Sequence, residues 1–154
     1  MIDERSYLYN PFRITEATEE QIINTYANIQ SNLVPNAETG NDIANNIVRY
    51  ANMNYIVGEM LARYKTEYNK LKTNITIREN KELYKARKEW AEQHTDKPPA
   101  MSYFEAKAKE SVQQDLMKLA EMDAYIDRFK NTYNSITEKQ NALKKKLEIL
   151  RYEL

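Results

Sequence analysis

The side chains in this sequence that could do chemistry are cations interleaved with aromatic rings. Between residues 63 and 88 stand Arg63, Lys65, Lys70, Lys72, Arg78, Lys81, Lys85, Arg87 and Lys88, against only Glu67, Glu79 and Glu82. Nine cations against three anions give a local charge of about +6. Tyr64, Tyr68, Tyr84 and Trp90 lie among or just beyond them. Cations that neutralise a phosphate backbone, with rings on which bases stack, are the ingredients of single-stranded nucleic-acid binding. Steps of four and three put Lys81, Lys85 and Lys88 on one helical face, where they can follow a backbone together. A plainer reading stands beside this one: the rings pack into a hydrophobic seam and the lysines keep a long helix soluble. A second basic stretch, from Arg128 to Arg151, contains Lys144, Lys145 and Lys146 and carries about +5. Cations near a helix C-terminus also complement the macrodipole, so this stretch too has a structural reading.

Other chemistries find no purchase. The single histidine, His94, cannot supply the two Glu-x-x-His pairs of a di-iron bundle, and neighbours such as Glu89 and Glu92 read as helix-face carboxylates. With no cysteine there is no thiolate nucleophile, disulfide or cysteine-bound zinc. No serine or threonine sits in a nucleophile motif, and Gly40 and Gly58 are too isolated for a phosphate-binding loop. The expectation is a protein that is not an enzyme, with no metal, no cofactor and no small-molecule substrate.

The elements that position these residues follow from hydrophobic spacing. The chain of 154 residues has room for one domain, and two glycines with four prolines favour long helices over a many-turned β fold. Residues 1–17 hold Tyr7, Leu8, Tyr9, Pro11, Phe12 and Ile14 without helical period, and this segment reads as an extended arm. Tyr7, Leu8, Tyr9 and Phe12 are candidates for docking to a partner. Thr18-Glu19-Glu20-Gln21 has the form of a capping box, which predicts a short helix over about 18–34. From 41 onward Ile43, Ile47, Tyr50, Val57, Leu61, Tyr64, Tyr68, Leu71 and Ile75 recur every three or four residues, with Asn54 in one slot. The β-branched run around Ile75 and Ile77 predicts a bend or weakness near 74–78. Pro98-Pro99 marks a turn near 95–101, and Ser102-Tyr103-Phe104-Glu105 reads as the capping box of a second long helix. That helix is expected to run without interruption through Val112, Leu116, Leu119, Met122, Ile126, Phe129, Tyr133, Ile136, Leu143, Leu147, Leu150 and Leu154, with Gln140 in its polar slot.

Two long segments joined by a short turn predict an all-α fold, a coiled-coil-like antiparallel hairpin over 41–154. Ile56, Met60, Met117, Tyr125 and Ile149 fall off the seam and leave a surface for a third helix or another chain to cover, and a homo-oligomer is expected. Charge is uneven: 23 basic and 23 acidic residues cancel, while the first forty residues carry about −4. The start, Met1 to Arg5, lacks the pattern of a signal peptide, and no run approaches a membrane span, which points to a soluble, intracellular chain with no membrane partner.

Several of these features occur together in a known group. Asn45-Asn46-Ile47-Val48-Arg49-Tyr50, the Glu59-Met60 step, a lysine-rich helix, a polar turn and Tyr103-Phe104-Glu105-Ala106-Lys107 opening a second helix resemble the small helical early proteins of tailed bacteriophages, and among them the UvsY-type recombination mediators. The resemblance covers roughly residues 41–150. It implies an oligomer in the host cytoplasm that binds single-stranded DNA and helps load a recombinase onto strands coated by single-strand-binding protein. The basic stretch corresponds only as a stretch, without residue-by-residue equivalence. The alternative is a helical interaction module that does not touch nucleic acid, either a capsid-assembly scaffold or an inhibitor of a host nuclease or defence protein.

Overall fold

The computed structural model describes residues 16–33 and 39–153. The proposed arm with Tyr7, Leu8, Tyr9 and Phe12 lies outside them, as does Leu154. The described residues form four helices and no strand: α1 (Glu19–Ser31), α2 (Gly40–Gln93), α3 (Met101–Ser111) and α4 (Gln113–Tyr152). The fold is all-α and its long helices form a helical hairpin.

Helix α1 begins as its sequence dictates. The Thr18 hydroxyl accepts from the Gln21 backbone N–H at 3.2 Å, and the Gln21 side chain accepts from the Thr18 N–H at 2.9 Å. Helix α2 has an equivalent device, since the Thr39 hydroxyl accepts from the Asp42 N–H at 3.2 Å while the Asp42 carboxylate accepts from the Thr39 N–H at 3.2 Å. Helix α2 continues through 74–78, where Ile75 is buried and the Thr73 and Thr76 hydroxyls donate to the carbonyls four residues back. Two departures from the sequence reading have local causes. The Ser102 capping box does not form. Ala100 is extended (φ −57°, ψ 150°) after the proline pair and takes the N-cap position, so Ser102 is already the second residue of α3. The second long segment is interrupted at Val112, whose N–H turns to the Lys109 carbonyl at 3.2 Å while its side chain is buried at 1% exposure.

The chain divides into two units, 1–63 with 126–154, and 64–125. In the first, α2 and α4 run antiparallel: the closest side-chain neighbour of Gly40 is Leu147, Gln140 donates to the Ile47 carbonyl, Asn54 donates to Thr137, and Gly58 faces Tyr133. Both polar seam residues, Asn54 and Gln140, therefore form hydrogen bonds between the helices, at 2.8 and 3.2 Å. Helix α1 joins them as a third member. Tyr26 meets Phe129 edge-on at 5.0 Å and its hydroxyl lies 2.8 Å from that of Thr132. The Ala17 carbonyl accepts from Arg63 at 2.7 Å, and the Leu33 carbonyl accepts from Lys139 at 2.8 Å. Ile56 and Met60, off-seam residues expected to need a third helix or another chain, are buried at 2% and 1% exposure. Leu116 and Tyr133, expected in the seam, are instead exposed at 36% and 40%.

The second unit is built from the end of α2, all of α3 and the start of α4. Tyr64, Ile75, Phe104, Ala108, Val112 and Met122 are its buried apolar residues, with Tyr64 and Tyr125 meeting edge-on at 5.9 Å. Arg78 pairs with Asp115, and its second nitrogen lies 3.4 Å from the Ser111 carbonyl. That carbonyl sits at the helix interruption, where an arginine donor replaces a missing ladder bond.

Candidate nucleic-acid interface

The cations singled out on α2 are exposed, as the helix geometry requires once Tyr64, Ile75 and their neighbours turn inward. Lys65, Lys70, Lys72, Arg78, Lys81, Lys85, Arg87 and Lys88 all present their side chains to solvent. Arg78 is already committed to Asp115 and the Ser111 carbonyl. Lys85 and Lys88 lie 4.0 Å from Glu89 and Glu92, one turn along the same helix. Both pairs are more than half exposed, and such contacts contribute little, so neither lysine is locked away from a phosphate. Lys144, Lys145 and Lys146 are exposed near the end of α4 and belong to the other unit, 1–63 with 126–154.

The aromatic residues divide. Tyr64 is buried in its unit and Tyr68 is half-buried, so the seam reading holds for them. Tyr84 is different, being 71% exposed. It stands three residues after Lys81 and four before Lys88, on the same helical face. An unburied phenol ring bracketed by lysines is a platform on which a base can stack while its phosphates meet ammonium groups.

Trp90 forms a second aromatic centre. Its ring stacks on that of His94, with centroids 3.7 Å apart and planes 5° from parallel, and the His94 ring nitrogen lies 3.3 Å from the Trp90 carbonyl. Across a cavity of about 620 Å³ stand Tyr103 and Phe104 from α3, themselves edge-on at 5.5 Å. Lys107 lies 4.9 Å above the Tyr103 ring. The Trp90 indole nitrogen is buried and has no hydrogen-bond acceptor. Two signals of this centre are present in the sequence, the one-turn spacing of Trp90 and His94 and the Tyr103-Phe104 pair, but neither encodes that the turn brings them around one cavity.

Among the described residues no group of three or more His, Cys, Asp or Glu side chains gathers in a metal-binding arrangement, and no helix is long and apolar enough to cross a membrane. The chain matches no protein-family profile, no curated protein and no solved structure.

Proposed function

We propose that this protein is a non-enzymatic, single-stranded-DNA-binding accessory of recombination or replication, of the phage mediator type, and that the lysine face of α2 is its contact with the strand. The observation that carries the reading is Tyr84, largely exposed among the solvent-facing Lys81, Lys85, Arg87 and Lys88. What supports the reading is the combination on one helical face, since a base stacked on the Tyr84 ring would have its phosphates within reach of the flanking lysines. With no net charge on the whole chain, attraction for a polyanion has to be local, and this face supplies it. On this reading the partners are single-stranded DNA, a recombinase and a single-strand-binding protein in the host cytoplasm, with further copies of the chain.

The test is a labelled oligonucleotide titrated at several salt concentrations with the parent and with a triple variant, Lys81→Gln, Lys85→Gln and Lys88→Gln. Glutamine has a similar helix propensity, so helicity is expected to be unchanged. Affinity should fall, and the slope of log affinity against log salt should flatten by up to about two units, at roughly 0.7 per lost contact. Unchanged affinity and slope would clear this face of a role. Absence of any salt-dependent binding by the parent would remove the reading and favour the helical interaction module, for which exposed Met117 and Ile149 are the supporting observation.

A further inference from the structure

We infer that the cavity between the end of α2 and α3 is a nucleobase pocket, in which a base of a bound single strand stacks against the Trp90, His94 and Tyr103 rings. This inference rests on the single-strand reading above and adds to it a second, distinct contact. Three observations converge. The cavity, about 620 Å³, lies within the range of small-ligand sites, roughly 300–1,000 Å³. Its walls carry flat rings, with Trp90 and His94 already parallel and Tyr103 44% exposed. The buried Trp90 indole N–H lacks an acceptor, and a buried donor left unpaired carries a penalty that a base acceptor would relieve once the ring turns its N–H toward the cavity. Nucleobases offer both parts, a π face for the rings and ring-nitrogen or carbonyl acceptors for the indole.

The charged residues around the cavity are consistent with a base entering and a backbone staying outside. Glu82, Glu89 and Glu110 line it together with Lys85 and Lys107. Carboxylates repel phosphates but accept hydrogen bonds from the exocyclic amino groups of adenine and cytosine. Lys85 lines the cavity and also belongs to the lysine face, so a strand held there has a base within reach of the rings.

Trp90 is the only tryptophan, so its fluorescence reports on this cavity alone. Anisotropy of a labelled oligoadenylate strand measures binding, and Trp90 emission measures occupancy. The adenine strand should bind and quench Trp90, whereas an abasic strand of the same length should bind more weakly and leave the emission unchanged. Tyr103→Leu, at a partly exposed position, should lower affinity roughly 5- to 150-fold, the range of one base–aromatic stack, without altering the salt slope. Trp90→Phe, which keeps a ring but loses the N–H, should weaken binding less than Tyr103→Leu. Circular dichroism and thermal melting establish that both variants fold. If the adenine strand binds with unchanged Trp90 emission and Tyr103→Leu binds as the parent does, the pocket is refuted while the lysine face stands. If no strand binds at all, the single-strand reading itself is lost. Quenching by an arginine-rich peptide and not by DNA would make the cavity a site for a cationic side chain and overturn the proposal.

Discussion

At the scale of single residues, the three-helix unit makes the sharpest predictions, because its interior mixes full burial with hydroxyls that have partners. Tyr50 is 1% exposed, and its hydroxyl donates to the Leu33 carbonyl at 3.3 Å. Burial pushes the Tyr50 pKa above its usual value, with Arg49 opposing the shift. A raised native pKa means the folded chain holds this proton more tightly than the unfolded chain does. The contribution of this group to stability is therefore complete below the unfolded value, near pH 10, and is lost as pH rises through the native value. Tyr50→Phe should lessen that alkaline loss in melting curves compared with the parent. Near neutral pH it should cost only about 0.5–1.5 kcal/mol, since Lys139 still donates to the Leu33 carbonyl. The leucines of α4 provide a contrast. Leu143 is 8% exposed and Leu143→Ala should destabilise by roughly 2–5 kcal/mol in denaturant titrations, whereas half-buried Leu147 should cost less on the same change. Equal costs would mean that burial in one chain does not govern this end of the helix.

At the scale of elements, hydrophobic spacing revealed the helices but local capping patterns predicted their ends unevenly. The 3.5-residue period of α2 and α4 and the proline pair between α2 and α3 were enough to read the hairpin, because a seam repeated over many turns outweighs any single residue. The Thr18 box forms as its sequence predicts, and a similar box at Thr39 and Asp42 uses aspartate where the usual pattern has Glu or Gln. The Ser102 box failed because α3 begins at Met101 with Ala100 as its N-cap, which leaves Ser102 inside the first turn rather than at its entry. The interruption at Val112 was illegible for a related reason: it is coupled to Arg78, 34 positions away, through the Ser111 carbonyl. Of the candidate interface, the lysines could be read from spacing, but the exposure of Tyr84 and the cavity around Trp90 depend on which face turns inward. Gly58 gives the element-level prediction. It sits inside α2, where a Cβ would meet the Tyr133 ring at 3.5 Å, an ordinary contact. Gly58→Ala should therefore stabilise the protein by about 0.5–1 kcal/mol, the usual gain in a helix interior, as a raised denaturant midpoint. A lowered midpoint would show that Tyr133 cannot yield even that much space.

At the scale of the whole molecule, the remaining question is whether copies associate, and the expected answer changes with the burial of Ile56 and Met60. Their enclosure means that the three-helix unit has its own core, with Ile22, Tyr26, Ile29, Phe129 and Ile136 buried beside them in the same chain. Folding then does not depend on a partner, and the melting temperature should not vary with protein concentration in the low micromolar range, unlike that of an obligate oligomer. Apolar side chains nevertheless remain outside. Val48 and Tyr55, 61% and 48% exposed, stand seven residues apart on one face of α2, and Met117 and Ile149 are 69% and 57% exposed on α4. Single exposed apolar residues are ordinary, but two that share a helical face form a stripe that a second copy can cover. The expected behaviour is a monomer at low concentration whose light-scattering mass rises as concentration increases. Val48→Lys combined with Tyr55→Lys should abolish that rise and leave the melting temperature nearly unchanged, because both positions lie on the solvent side of the helix. A monomeric mass at every concentration would remove self-association. A melting temperature that climbs steeply with concentration would instead make assembly part of folding, and the core buried within one chain would not be sufficient to hold it.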